Sequence, residues 1–238
     1  MKLFSLEEMN LGGTNLKLFL LILHKYDPQM RNFLFIGAHP DDIEFGCGGT
    51  IAKAVSEGVG CHTLVLSDCH ESLLAVHPNP KLIVNESIEA LQHLGVTNTQ
   101  MKWLDFPVRN FSQHRSKILD ILVKDYRGIE WERVYVPNQF DVHQDHSVVT
   151  EEGMRAFKFF SIYGYELPWN NYRSAINAFN VLNMEHVDRK CQALAKFKTQ
   201  ERRFYSDESK VRAVLNFRGL QINKPFAEGF ELIRSVQT

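Results

Sequence analysis

Two short segments of this chain combine residue types that can hold a metal ion and activate water. The first is Ala38-His39-Pro40-Asp41-Asp42-Ile43-Glu44 and the second is Asp141-Val142-His143-Gln144-Asp145-His146. Imidazole nitrogen and carboxylate oxygen are common ligands of a catalytic Zn²⁺, which keeps a fourth position open for water or substrate. His39 and Asp42, close together in a turn, with His146 as the third ligand, would make a set of two histidines and one carboxylate. An ion so held lowers the pKa of water from 15.7 toward about 7, which opens hydrolysis at neutral pH. The same donors suit Fe²⁺ as well as Zn²⁺. Hydrolysis also needs a base, and Asp41 neighbours a ligand without having to be one. His143, if protonated, would serve as donor to the developing oxyanion, with Asp145 holding its charge and orientation. Each segment alone has an ordinary explanation, because Pro and Asp are frequent turn residues. Their joint occurrence behind two apolar runs points to a site.

The elements around them must bring the two segments together. Phe33 to Gly37 reads as a buried strand, and Gly49 to Glu57 as a helix with Ile51, Ala52, Ala54 and Val55 inward. Cys61 to Leu66 reads as a second strand, followed by a long polar stretch from Ser67 to Pro80. A helix is expected from Lys81 to Leu94, closed by Gly95, with Ile83, Ile88, Leu91 and Leu94 as its apolar stripe. A third strand is expected near Met101 to Leu104, a helix capped by Ser112 through Tyr126, a fourth strand from Arg133 to Val136, and a helix from His146 to Phe160. Farther on, Phe179 to Met184 suggests a strand, Asp188 to Lys198 a helix, Asp207 the start of another, and Phe226 to Ile233 a closing strand. This alternation predicts an α/β, Rossmann-like three-layer fold with a mostly parallel sheet and helices on both faces. Ligands of such sheets sit outside the carboxyl ends of the strands, where both segments fall. With no repeat or Pro/Gly linker, one domain over residues 1–238 is expected, residues 1–30 forming a helical extension.

AHPDDIE behind an apolar strand, with DVHQDH roughly a hundred residues later, resembles the PIG-L/LmbE-type N-acetylglucosaminyl deacetylase family. The resemblance extends to NESIEALQHLG after the long loop and to RGLQINKPFAEGFE near the C-terminus. It implies that His39, Asp42 and His146 bind the metal, that Asp41 is the general base, and that His143 is the electrostatic and acid partner. It also implies that Asp145 is the carboxylate behind the histidines. The implied reaction is removal of acetate from an N-acetyl amino sugar, in glycoconjugate biosynthesis. Two positions depart from the family pattern. Ile83 stands where many members carry a substrate-holding arginine, and Asp141 where some carry an aromatic lid residue. Arg109 is a candidate replacement cation, and Trp169, in the aromatic and amide-rich stretch Tyr163 to Asn171, a candidate sugar-stacking residue.

Composition narrows the field. The 238 residues are 44% hydrophobic, and 27 Lys and Arg against 28 Asp and Glu give a net charge of −1. That is no electrostatic footprint for nucleic acid. The apolar run Leu18 to Leu23 is far shorter than the roughly 20 residues of a bilayer span. It is followed by His24-Lys25-Tyr26-Asp27-Pro28 rather than a small-residue cleavage site, so no integral membrane segment is expected. A helix begun by Thr14 or Asn15 and packed on the domain is the simpler reading, beside docking on a partner or membrane surface. Cys47, Cys61, Cys69 and Cys191 read as free buried thiols, in keeping with a cytoplasmic protein. The remaining histidines read as structural or exposed. The Gly46-Cys47-Gly48-Gly49 run reads as close packing rather than a phosphate loop, since it lacks the P-loop lysine. A small-molecule substrate is expected, and homo-oligomer formation is left open.

Overall fold

Side chains alternate between the two faces of a strand, and β1 (Asn32–Gly37) is apolar on both. Phe33 and Phe35 join a core with Tyr135 on one side of the sheet, while Leu34 and Ile36 join Val134 and Val136 on the other. A strand buried on both faces must be central and covered by helices above and below. In the computed structural model, which describes residues 31–71, 79, 81–173, 175–203 and 207–237, that is its position. The chain divides into two compact units, Met1–Arg31 and Asn32–Thr238. The elements named here belong to the second. The expected N-terminal helix and the run Leu18 to Leu23 lie outside the described residues, as does most of the stretch from Ser67 to Pro80.

The order of elements is β1, α1 (Asp42–Ser56), β2 (Gly60–Val65), α2 (Leu82–Leu94), β3 (Met101–Trp103), α3 (Arg115–Ile121), β4 (Arg133–Pro137), α4 (Gln144–Ala156), β5 (Ile162–Tyr165), β6 (Ala178–Leu182), α5 (Met184–Leu194), α6 (Glu208–Leu220) and β7 (Phe226–Arg234). The sheet runs β3-β2-β1-β4-β5-β7-β6. The first five strands are mutually parallel, and β7 pairs antiparallel with both β5 and β6. Ile51 of α1, Leu91 and Leu94 of α2, Val187 of α5 and Leu215 of α6 fill one core, and Ile118, Leu122 and Val149 of α3, its continuation and α4 fill the other. This is the expected α/β architecture.

Several boundaries differ from expectation, each for a tertiary reason. The first helix begins at Asp42 rather than Gly49, so the glycine run lies inside it. A β-carbon on Gly46 would lie 2.3 Å from the Tyr165 ring, and one on Gly49 would lie 2.4 Å from Leu182. Glycine is therefore a packing requirement here, in line with the close packing expected of this run. The helix expected from Ser112 begins at Arg115 and widens into a π-helical turn over Leu122–Tyr126. The helix carrying the second motif begins at Gln144 rather than His146 and ends at Ala156. Strand β5, short and broken by Gly164, was not foreseen. The strand expected over Phe179 to Met184 stops at Leu182, and the next helix begins at Met184 instead of Asp188, capped by Asn183, whose side chain accepts from the His186 N–H. On α2, Ser87 and Glu86 share the buried face with Ile83, Leu91 and Leu94, and Ile88 is only half-buried.

Candidate metal centre

The loop after β1 and the loop after β4 leave neighbouring strands in the same direction, where the sheet order reverses from β2 on one side of β1 to β4 on the other. That reversal opens a crevice at the carboxyl ends. His39 to Asp42 enter it from one side. His143, Asp145 and His146, at the start of α4, enter it from the other.

Three donor atoms meet there. Nε2 of His146 lies 3.3 Å from Nδ1 of His39 and 3.3 Å from Oδ2 of Asp42, and Nδ1 of His39 lies 3.5 Å from the same Asp42 oxygen. Bonds of about 2.0–2.1 Å to a tetrahedral Zn²⁺ put its ligand atoms roughly 3.3–3.4 Å apart. The trio fits such an ion. The atoms offered by His39, His143 and His146 also fall within 4.8 Å of one another. The set with Asp42 is tighter, however, and His143 has committed one nitrogen elsewhere: its Nδ1 accepts the Asp145 backbone N–H at 3.2 Å.

Behind each ligand imidazole stands a carboxylate. His39 Nε2 donates to Asp145 Oδ2 at 3.1 Å, and His146 Nδ1 donates to Asp141 Oδ2 at 2.8 Å. These bonds hold the far nitrogens as donors and turn the near nitrogens toward Asp42, where they would offer lone pairs to a cation once deprotonated, the usual way that orienting carboxylates tune metal-binding histidines. Asp145 is itself fixed by the backbone N–H groups of Arg109 (2.6 Å) and Phe111 (3.3 Å). Asp141 also accepts the His143 backbone N–H at 2.8 Å. The Asp42 carboxylate accepts the His39 backbone N–H at 2.8 Å.

The electrostatics follow. Burial alone would lower the pKa of His146, but the charge of Asp42 and the bonds to Asp141 and Asp42 outweigh it and raise it to about 10. His39 is raised in the same way, against its burial, by Asp145 and Asp42. Burial would raise Asp42, yet the two histidines hold it well below the usual carboxylate range. Burial and the two neighbouring imidazoles push His143 down to about 4. With Nδ1 accepting a backbone proton, His143 is a neutral ring that carries its hydrogen on Nε2. The Asp145 carboxylate bonds His39, and His143 meets Asp145 through the Asp145 backbone N–H.

The other candidates are placed as follows. Asp41 is buried and has left-handed backbone, φ 94° and ψ −25°. The Arg109 side chain is exposed, and its backbone, also left-handed at φ 68°, is the part that touches the centre, through Asp145. Trp169 is half exposed, its ring 4.6 Å edge-on from Phe45 of α1. Its loop is tied to the second motif by the Val142 N–H donating to Asn170 O at 3.1 Å. Ile83 is buried in the core and offers no cation. A crevice of about 270 Å³, lined by Asp68, His70 and Asp105 among others, includes none of these candidates. Sequence reasoning missed Asp141 as the partner of His146. Its signal was an acidic residue just before the helix that carries two histidines.

The family model described as PIG-L, GlcNAc-PI de-N-acetylase, matches residues 34–157. The chain is similar to a protein of Escherichia coli (strain K12) named uncharacterized deacetylase YaiS, at 29% identity over 177 residues, 72% of this chain and 92% of the relative. The N,N'-diacetylchitobiose deacetylase of Pyrococcus horikoshii shares its fold with a TM-score of 0.68 at 20% identity, covering 96% of this chain and 93% of the other. GalB, the 4-carboxy-2-hydroxymuconate hydratase of Pseudomonas putida KT2440, does so with 0.68 at 20% identity, covering 88% and 98%. At these identities the structures show the fold alone.

Proposed function

Because the chain belongs to the PIG-L family of de-N-acetylases, we propose that it is a metal-dependent hydrolase that releases acetate from an N-acetylated amino sugar of the GlcNAc type. The observation that carries this reading is the donor trio of His39, Asp42 and His146, spaced for one small cation and braced by Asp145 and Asp141. Residues 32–238 are read as one catalytic domain.

A cation held by that trio, zinc by preference and Fe²⁺ as the alternative, supplies Lewis acidity that polarises the acetamide carbonyl and acidifies water. The chain's own residues do the rest. Asp41 takes the proton of the attacking water. The Nε2–H of His143 donates to the oxygen on which charge develops, and a neutral ring does this without a second cation being buried. The proton stored on Asp41 goes to the sugar nitrogen as the C–N bond breaks, and acetate leaves. Asp141 and Asp145 keep both ligand rings in the binding tautomer. Trp169 offers a ring face to the pyranose, and the Arg109 side chain lies at the rim to meet its hydroxyls or aglycone. No helix among the described residues is long and apolar enough to cross a membrane. All four thiols are free and buried, which suits the reducing cytoplasm.

Asp41→Asn is expected to lower acetate release by about 10²-fold or more with metal content unchanged, since a general base contributes on the order of 10²–10⁴. A variant that releases acetate near the wild-type rate would sink the base assignment. Because a hydratase shares this fold, acetate formation from N-acetyl sugars, with and without a chelator, is the deciding measurement.

A further inference from the structure

Asp41 holds a backbone conformation that residues with a β-carbon adopt rarely and keep only where their surroundings hold it. A reciprocal capping box holds it, in which the Asp41 side chain accepts the Glu44 backbone N–H and the Glu44 carboxyl grips the Asp41 amide. The Asp41 backbone N–H donates to Glu44 Oε2 at 3.2 Å, and the other oxygen, Oε1, accepts the Ser87 hydroxyl at 2.6 Å. Glu44 and Ser87 are both fully buried. Ser87 comes from α2, an element that supplies none of the metal-site residues, so its hydroxyl fixes the Glu44 carboxyl from outside the motif.

We propose that Ser87 and Glu44 are positioning residues for the general base, a chain of two hydrogen bonds that runs from α2 to the Asp41 amide and sets the turn on which the Asp41 carboxylate sits. This rests on the reading of Asp41 as the base. Without the hydroxyl, Glu44 loses the partner that fixes one of its two oxygens. Its grip on the Asp41 amide then loosens, and the left-handed turn relaxes. The ligand Asp42 has its own support in the His39 N–H and both histidines, so metal binding is insulated from the change.

The test is Ser87→Ala in the full chain, assayed for acetate release from an N-acetyl amino sugar. The expected result is a kcat lower by about ten-fold or more with KM and metal content within about two-fold of wild type, since misplacing a catalytic group costs chemistry rather than binding. In an Asp41→Asn background the same substitution should cause no further loss. A kcat within about two-fold of wild type, or an equal loss in both backgrounds, would overturn the proposal. If Ser87→Ala fails to fold, Ser87→Cys, whose thiol is a weak donor, carries the same test with the same outcomes. An Asp41→Asn enzyme of wild-type activity would instead remove the base reading itself, and that single variant tells the two failures apart.

Discussion

Asp141 and Asp145 each place a negative charge one ring away from the nitrogens that face Asp42. Their loss should be felt in metal affinity before anything else. Asp141→Asn is expected to weaken metal binding by about 10–100-fold, measured by competition with a chromogenic chelator. The same geometry ties metal binding to protons. His146, raised to about 10, is protonated at neutral pH in protein stripped of metal, so an incoming cation must displace that proton. Affinity should therefore climb with pH from about 7 toward 10, with proton uptake by the buffer visible in titration calorimetry in buffers of different ionisation enthalpy. The sign for stability runs the other way. A raised histidine stabilises the metal-free fold fully below its ordinary pKa of 6.5, and that contribution is lost as pH rises through about 10. The motifs alone suffice to propose His39, Asp42 and His146 as ligands, and the folded chain brings their donor atoms together. The brace on His146 could not be read from them, because Asp141 and His146 lie five positions apart across a helix start and only the folded loop aligns them.

The first helix is where local rules and tertiary packing part company. The helix was expected to begin at Gly49 and begins at Asp42, and Gly46, Gly48 and Gly49, read as close packing, let α1 press against Tyr165, Lys190, Leu182 and Glu228. Glu228, from the closing strand, accepts the backbone N–H of Gly49 at 2.8 Å and of Thr50 at 2.6 Å, and pairs with Lys190 at 2.6 Å. Gly46→Ala is expected to destabilise the protein by about 1–3 kcal/mol through overpacking against Tyr165, seen as a lower urea midpoint. Lys190→Met, which strands the Glu228 carboxylate in the core, should cost roughly 3–5 kcal/mol in the same assay. Elements announced by apolar runs, such as β1, β2, β4 and β7, were legible in sequence. So was the stop of α2 at Gly95, whose φ of 97° favours glycine. Strand β5 was not, because a four-residue strand containing glycine carries too little pattern to stand out from a loop.

Across the whole molecule, the doubly covered sheet follows from the alternation of strands and helices, and the crevice follows from the sheet order. The antiparallel edge of β5, β7 and β6 was not readable, since it depends on long-range pairing that no local pattern encodes. The cysteines are sealed within these layers. Burial pushes Cys61 and Cys69 up to about 12, and Cys47 and Cys191 upward as well. The native protein should therefore react only slowly with a thiol reagent at pH 8, while in denaturant all four cysteines should react at once.

The neighbouring positions of β1 and β4 bear on the order in which the chain matures. A growing polypeptide exposes His39 and Asp42 about a hundred residues before His146 is synthesised, and closing a loop of that size is entropically slow. A ribosome paused before Arg133 would display only two of the three proposed ligands, His39 and Asp42. On the proposed ligand set, uptake of an ion would thus have to wait until β4 has joined β1, while three strands of the sheet are still to come.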